Sequence, residues 1–272
     1  MTGEGLPSRG ASKELNPSDV VTRFTRVTDF PSLRRHKYVA GMATIETYAR
    51  PITIYRYRSL SGSRAPNPRA NEKLLEQELS PIEQSYIYCS TYRELNDPME
   101  GFFKASQRVK KRPDYDETVE LIRNQKLALG IASFSETWDN ELMWAHYGGA
   151  FAGICIGYSV TKLLEGLPND HALARMAYGD RPYYLGLGPY RQEHRTRAIL
   201  STKNVKWSYE REWRLFSPTS GKAHYNNDAV KCVYLGARMS NADRKRIRER
   251  LKGTDIEVRL TKVDGYSIEQ SI

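Results

Sequence analysis

The sequence predicts an α+β fold, a single domain with mixed or antiparallel β-sheets flanked by helices. Two observations support this prediction. Segments with strand-like patterns outnumber segments with helical spacing, and the helices are not inserted regularly between the strands. The sequence contains no internal repeat. Hydrophobic residues make up 39% and charged residues 27% of the 272 residues, which excludes collagen-like, coiled-coil and wholly disordered chains.

The predicted elements begin at residue 52, where β-branched and aromatic residues alternate with arginines. Strands are expected at 52–60, 85–91, 127–136, 151–159, 174–180, 210–218, 229–239 and 255–263. Helices are expected at 71–84, with an interruption at Pro81, and at 113–126, 140–148, 160–166, within 182–203 and at 240–253. Ser240 is a good N-cap for the last helix, with Asp243 at the capping-box position, and Gly253 ends it.

Domain boundaries are inferred from composition. Residues 1–20 are rich in Gly, Ser, Pro and charge and are expected to form a mobile N-terminal segment. Residues 21–50 mix apolar and basic residues without a clear period, which predicts an N-terminal adornment packed on the main domain. Residues 51–272 are then a single α+β domain of a catalytic type.

The charge balance and the cysteines indicate partners and compartment. Lys and Arg number 42 against 32 Asp and Glu, and the net charge of +10 favours an anionic partner such as nucleic acid, dinucleotide phosphates or an acidic protein. The terminal helix is strongly basic all round, which is typical of a solvated surface. Three cysteines without a Cys-x-x-Cys pair argue against a disulfide framework or structural zinc and predict a cytoplasmic protein in a reducing compartment. No apolar run approaches the ~20 residues that span a bilayer, so we expect a soluble, intracellular protein with no membrane partner.

The strongest local pattern is the pair Glu210 and Glu212. On a strand, residues two apart point to the same face, so the two carboxylates are expected to lie close and to raise each other's pKa. Such a pair suits acid/base work or the stabilisation of a developing cation. The alternative is ordinary cross-strand ion pairing with Lys206, Arg211 and Arg214 on a solvated face.

Arg56 and Arg58 form a second candidate site. Two arginines on one face of a strand can grip a diphosphate by bidentate hydrogen bonds, and the alternative is a solvent-facing polar edge. Ser133 and Ser135 end an apolar strand, where their hydroxyls either orient a ligand or a catalytic carboxylate or merely end the strand.

Further candidates are polar and aromatic. Asn96 and Asp97 initiate a turn, and His146 and Tyr147 follow Trp144 on a short helix, where a histidine is more often a core residue than a catalyst. Lys203 and Tyr209 flank the glutamate pair.

A metal centre built from Asp97, Glu100, His146, Glu210 and Glu212 has no supporting ligand spacing, so no metal is expected. Nucleophile-elbow, P-loop and Rossmann motifs are absent from the sequence.

Taken in order, several motifs resemble the bacterial domain-of-unknown-function family DUF2971. The resemblance covers roughly residues 54–253. It rests on YRYRSL, YIYCSTYRELNDPMEG, SFSETWDNELMWAHYGGAFAGICIGY, STKNVKWSYEREWRL and VYLGARMS. The family name implies no reaction.

A more distant resemblance is to mono-ADP-ribosyltransferases of the Arg/Ser-Thr-Ser/Glu-x-Glu type. The chain offers Tyr-Arg at 55–56 or 57–58, Ser-Phe-Ser at 133–135 and Glu-Arg-Glu at 210–212, in the order of that family. It departs from the family at Phe134 and in its long spacings, and Cys89-Ser90-Thr91 is a rival for the serine motif.

The second resemblance implies an ADP-ribosyltransferase-like fold and an NAD-consuming enzyme, a bacterial toxin or phage-defence effector. Glu212 would stabilise the oxocarbenium-like centre, and Glu210 would orient or deprotonate the acceptor. Arg56 or Arg58 would clamp the diphosphate, Ser133 or Ser135 would position Glu212, and Tyr147 or Tyr209 would stack on nicotinamide. NAD is the expected cosubstrate, and nucleic acid or an acidic protein the expected acceptor. The alternatives are a metal-dependent nuclease and a non-catalytic nucleic-acid-binding module.

Overall fold

A computed structural model describes residues 44–45, 51–61, 71–186, 192–225 and 227–271, all within the unit Ala40–Ile272. The predicted mobile segment 1–20 and nearly all of the predicted adornment 21–50 lie outside these residues. The strands are β1 (Thr44–Ile45), β2 (Thr53–Arg58), β3 (Tyr86–Thr91), β4 (Phe103–Ala105), β5 (Gly130–Ser135), β6 (Ile154–Ser159), β7 (Ala172–Arg175), β8 (Ala177–Gly179), β9 (Tyr183–Leu185), β10 (Thr202–Asn204), β11 (Glu212–Ser217), β12 (Gly221–His224), β13 (Val230–Leu235), β14 (Glu257–Asp264) and β15 (Ser267–Ser271). The α-helices are α1 (Glu72–Glu83), α2 (Gln107–Lys110), α3 (Tyr115–Ala128), α4 (Glu141–His146), α5 (Val160–Gly166), α6 (Gln192–Leu200) and α7 (Asn241–Arg250).

One large mixed sheet organises the described residues. Its strands follow the order β1-β7-β11-β5-β2-β6-β13-β14-β15, with β3 paired to β5 and β12 paired to β3. The pairs β1–β7 and β13–β14 are parallel and the others in this sheet are antiparallel. Two small parallel pairs, β8–β10 and β4–β9, lie outside it. The predicted α+β class with a mixed sheet flanked by helices is confirmed.

Some predicted elements differ from the observed ones. The predicted interruption at Pro81 is wrong, because α1 continues through it to Glu83. The proline removes one hydrogen bond to an i−4 carbonyl, but Leu79 and Ile82 on either side are buried in the core and hold this turn in place. The predicted strand 174–180 is divided at Met176, where the chain leaves the large sheet and pairs instead with β10. The short elements β4, α2, β12 and β15 were not predicted, because they depend on pairing or packing partners that are distant in the sequence or carry no regular pattern.

The strand register assigns side chains to the two faces of the sheet. Residues directly opposite each other in antiparallel strands project from the same face. Glu212 lies opposite Ser135, and Arg214 lies opposite Ser133, so these four side chains share one face, which we call the front face. Trp213, between the two charged residues of β11, projects from the other face, the back face.

Apolar side chains from different helices cover the two faces. On the back face, Leu79 of α1, Leu163 of α5 and Ile247 of α7 belong to the largest buried cluster. On the front face, Trp144 of α4 and Leu200 of α6 are fully buried in two separate smaller clusters. Burying several such side chains stabilises each face by roughly 1.5–3 kcal/mol per residue. Among the residues that the structure describes, no helix is long and apolar enough to cross a membrane.

Candidate functional site

The junction before β11 positions the two glutamates of the Glu-Arg-Glu motif. Glu212 lies on the strand, as expected, but the strand begins at Glu212 and not at residue 210. Glu210 is not on the strand: it ends a 3₁₀ helix at Val205–Glu210, and Arg211 adopts a left-handed conformation with φ of 45° between them. The left-handed turn, rather than strand alternation, therefore brings the two carboxylates to the same place. A single non-glycine residue with this φ could not be anticipated from the sequence pattern.

Lys203 of β10 joins the two glutamates. Its Nζ lies 2.6 Å from Oε2 of Glu210 and 3.2 Å from Oε2 of Glu212. A third carboxylate, that of Glu100, has its Oε1 3.7 Å from the same Nζ. The side chains of Lys203 and of the three glutamates are each no more than 5% exposed. The pair is therefore part of a buried charged cluster and does not lie on a solvated face.

Arg214, two residues after Glu212 on β11 and on the same face, is the second cation of the cluster. Its Nε donates to Oε1 of Glu212 at 2.7 Å, and its Nη1 and Nη2 donate to the two oxygens of Glu100 at 2.8 and 2.5 Å. Nη1 also donates to the carbonyl oxygen of Leu200 at 2.6 Å. Arg214 is 1% exposed, and such a buried guanidinium needs these partners to offset its desolvation. We define the buried cluster as Glu100, Lys203, Glu210, Glu212 and Arg214.

The charges of the buried cluster do not balance. Three carboxylates face two cations, which leaves one negative charge uncompensated when all five groups are ionised. Burial alone would raise the pKa of Glu212, but Arg214 and Lys203 beside it lower that pKa to about 2. Burial and the neighbouring Glu212 raise the pKa of Glu210 above its usual range. The two carboxylates are thus differentiated, one held ionised and the other inclined to take a proton.

Hydroxyl groups of β5 and β8 hold the junction in place. Ser135 is fully buried, and its hydroxyl donates to the backbone carbonyl of Glu210 at 2.7 Å. The side chain of Ser133 hydrogen-bonds the carboxylate of Glu212 and helps to lower its pKa. The backbone N–H of Glu212 donates to the hydroxyl of Tyr178 at 2.8 Å. Both serines of the predicted motif therefore contact the glutamate pair.

Aromatic side chains border the buried cluster near Glu210. The hydroxyl of Tyr147 donates to Oε1 of Glu210 at 2.5 Å, and burial followed by this contact raises the pKa of Tyr147. Nζ of Lys203 lies 4.8 Å from the ring centroid of Trp207. The exposed ring of His146 lies 6.2 Å from that of Tyr209, so His146 is not a core histidine. We call these four partly exposed side chains, His146, Tyr147, Trp207 and Tyr209, the aromatic border.

The structure places the remaining candidates as follows. Asn96 is exposed and hydrogen-bonds the side chain of Tyr147, so it lies at the aromatic border. Asp97 is buried, and its Oδ1 accepts from the backbone N–H of Met99 at 2.9 Å, which gives it a role in its own turn. Trp144 is fully buried and donates to the carbonyl of Trp138, so it is a core residue beneath the border.

Arg56 and Arg58 are not brought together with the glutamate pair. Their register with β6 places both side chains on the back face of the sheet, whereas Glu212 lies on the front face. Nη2 of Arg56 donates to the carbonyl of Tyr88 at 3.0 Å, and burial followed by Arg58 lowers the pKa of Arg56. Arg58 forms a bidentate ion pair with Glu78 of α1. The alternation of strand side chains shows that the two arginines share a face but cannot show which face.

Sequence reasoning did not find every member of the site. The sequence indicates Glu100 only as a neighbour of Asn96 and Asp97 or as a metal ligand, and Arg214 only as a surface ion-pair partner. Trp207 belongs to the same motif as the glutamate pair but has no predicted role, and Tyr178 carries no signal. The position of Arg214, two residues after Glu212 on the same strand, was the available sign. In the part of the chain that the structure describes, no group of three His, Cys, Asp or Glu side chains is arranged to hold a metal ion.

Fold and site together define an α+β protein whose mixed sheet carries a buried Glu-Lys-Arg cluster bordered by aromatic side chains. The model of one family, described as protein of unknown function (DUF2971), matches residues 143–215, from α4 into β11. This segment contains Tyr147, Lys203, Glu210, Glu212 and Arg214, and its match supports the family resemblance drawn from the sequence motifs. Neither the curated proteins nor the solved structures give a match to the chain.

Proposed function

We propose that the chain is an NAD-consuming enzyme of the ADP-ribosyltransferase or NAD-glycohydrolase type, with the buried cluster as its reactive centre. The observation that carries the proposal is the differentiated pair: Glu212 is held ionised, Glu210 has a raised pKa, and the cluster has one uncompensated negative charge. Environments that separate the pKa values of two neighbouring carboxylates are typical of acid/base sites.

The arrangement of the three motif strands also supports the proposal. Strand β11, which begins at the second glutamate of the Glu-x-Glu motif, neighbours the serine-motif strand β5, which in turn neighbours the arginine strand β2. Ser133 contacts the carboxylate of Glu212, and Ser135 contacts the backbone of Glu210. These contacts correspond to the positioning role that the resemblance implies for the serine motif. An ADP-ribosyltransferase-like fold is part of this proposal.

In the proposed reaction, the bond between nicotinamide and C1 of the ribose breaks, and its electron pair leaves with nicotinamide. The resulting cationic centre is stabilised by the ionised Glu212. An acceptor hydroxyl or a water molecule attacks C1, and its proton passes to the carboxylate of Glu210. Tyr147 contacts Glu210, and Trp207 contacts Lys203. The nicotinamide end of NAD must therefore pass these aromatic side chains to reach the glutamates.

Arg56 and Arg58 have no part in this form of the proposal. Their side chains lie on the back face, where Arg58 is already paired with Glu78. A diphosphate clamp contributed by either residue would be separated from Glu212 by the sheet itself. A toxin or phage-defence role is the biological setting that such chemistry suggests, with nucleic acid or an acidic protein as the acceptor.

The proposal is tested by measuring nicotinamide release from NAD, with and without candidate acceptors. We expect release by the wild-type chain, at least 100-fold less by Glu212→Gln and a marked loss by Glu210→Gln. Glu78→Gln is the matched control, because Glu78 is also buried and paired with an arginine, Arg58, but on the back face of the sheet. No release by the folded wild type, or equal release by Glu212→Gln, overturns the proposal. Nuclease activity abolished by a chelator would instead favour the metal-dependent alternative.

A further inference from the structure

The two sides of α7 differ in how their basic residues are paired. On one side, Arg246 pairs with Glu72, and Arg250 pairs with Glu76 and Glu83, which joins α7 to α1. These cations are neutralised within the fold. On the other side, Arg248 has no carboxylate within 4.0 Å in the described part of the chain, and neither has Lys252, just beyond the end of the helix. The sequence expectation of a uniformly solvated basic helix is therefore too coarse.

The unpaired side of α7 lines a strongly basic groove along β14. Two adjoining depressions of about 570 and 550 Å³ share Arg244 and Leu260. The charged residues that line them are six bases and one acid: Arg238, Arg244, Lys245, Arg248, Lys252, Lys262 and Glu249. Lys245 pairs with Glu249, and Lys262 pairs with Asp264 and Glu269. We call this surface the basic groove.

Arg244, at the centre of the basic groove, is only partly satisfied. Its Nη2 donates to the carbonyl oxygens of Gly236 and Ala237 at 3.4 and 2.8 Å, which fixes the guanidinium against the end of β13. Its Nε is buried and has no hydrogen-bond partner among the described residues. An unpaired buried donor is costly, whereas an anion bound beside it would accept this hydrogen bond. Arg238 lies next to it, 5.9 Å from the ring centroid of Phe151.

We propose that the basic groove binds the phosphate backbone of a nucleic acid. Arg244 and Arg248 lie about one helical turn apart on α7, about 6 Å along its axis. Lys252, just beyond the end of the helix, lines the same depression. A nucleic-acid strand presents one phosphate per ~3.4 Å of helix axis, so Arg244 and Arg248 match a separation of about two phosphates. Lys252 lines one depression and Arg238 the other, so they extend the basic lining beyond this pair. Contacts from arginine and lysine side chains to phosphates position a nucleic acid without reading its bases, so the binding proposed here is independent of sequence.

The basic groove is separate from the buried cluster. It lies beside β14, five strand positions from β11, which corresponds to about 24 Å, and α7 packs on the back face. Its occupancy requires neither NAD nor the glutamates. The proposal therefore does not rest on the proposed NAD chemistry, and binding is measured in the absence of NAD.

The test is the salt dependence of binding to a fluorescent 20-base-pair DNA duplex and a 20-nucleotide RNA, followed by anisotropy. If Arg238, Arg244, Arg248 and Lys252 each neutralise one phosphate, the duplex affinity of the wild-type chain falls roughly 150-fold between 50 and 200 mM salt. The double variant Arg248→Glu/Lys252→Glu loses two of these contacts. Its affinity at 50 mM salt is expected to fall at least 10-fold, and its salt dependence to roughly 12-fold.

Lys110→Glu/Lys111→Glu is the matched control, because both lysines are exposed on or beside α2 and the variant changes the net charge by the same amount. We expect this control to bind within threefold of wild type. Absence of wild-type binding, or equal losses in the two double variants, overturns the proposal. Competition by poly-glutamate as effective as that by DNA of equal charge also overturns it, in favour of an acidic protein partner.

Discussion

Arg214 provides a quantitative test of the buried cluster, because this 1%-exposed side chain holds two carboxylates at once. Arg214→Met removes the charge and keeps most of the side-chain length. Glu100 and Glu212 then lose their hydrogen bonds to the guanidinium, and three buried carboxylates share Lys203 alone. Removing one member of a buried ion pair costs about 3–5 kcal/mol. We predict a loss of unfolding free energy in this range at pH 7.

The pKa of Glu212 gives a second measure of the same effect. A pKa lowered from 4.5 to about 2 corresponds to about 3 kcal/mol of stabilisation of the ionised form in the folded state. In the wild type, this contribution is present above pH 4.5 and is lost as the pH falls toward 2. In Arg214→Met, burial is opposed by Lys203 alone, so the carboxylate pKa values rise. The variant should therefore regain stability as the pH falls from 7 to 5.

The assay is urea denaturation followed by tryptophan fluorescence at pH 7 and pH 5. Arg112→Met is the matched control, because Arg112 also forms a bidentate ion pair, with Asp114, but both side chains are exposed. For this control we expect little loss of stability and little change between the two pH values, because exposed ion pairs contribute little. A loss below 1 kcal/mol for Arg214→Met at pH 7, or a pH dependence like that of wild type, would refute the reasoning.

Two further predictions concern the junction and its border. Arg211 has a φ of 45°, a conformation that glycine adopts without strain and that a β-branched residue adopts only at a cost. Arg211→Gly should therefore keep nearly wild-type stability, whereas Arg211→Val should lose about 1–2 kcal/mol of unfolding free energy. Equal thermal stabilities of the two variants would show that the left-handed turn is unstrained. Tyr147→Phe removes a hydrogen bond that lowers the pKa of Glu210, so this pKa should rise further in a carboxyl ¹³C NMR titration. Tyr209→Phe is the control, and an unchanged Glu210 pKa in Tyr147→Phe contradicts the observed contact.

Local patterns predicted much of the fold. The alternation of polar and apolar residues around Arg56 predicted β2, because such alternation is typical of a half-buried strand. Short apolar runs predicted β5, β6 and β13, because such runs are typical of buried strands. Ser240 was recognised as the N-cap of α7, and its side chain accepts from the backbone N–H of Asp243 as predicted. Strands β4, β12 and β15 gave no such signal, because they are defined by pairing with partners.

The site was predicted in part for the same reason. The motifs identified Glu210, Glu212, Ser133 and Ser135, and the structure brings all four together. The face on which Arg56 lies depends on strand register, and a shift of one residue would reverse it, so composition and spacing could not decide its position. The approach of Glu100 to Arg214 joins residues 114 positions apart, which local patterning cannot anticipate.

Nicotinamide release from NAD by wild type, Glu212→Gln and Arg58→Gln, measured side by side on folded protein, tests the central claim most directly. If the reactive centre is the buried cluster on the front face, wild type and Arg58→Gln release nicotinamide at similar rates, and Glu212→Gln does not. Absence of release by wild type contradicts the claim. So does loss of release in Arg58→Gln with retention in Glu212→Gln, because the reaction would then depend on the back face of the sheet.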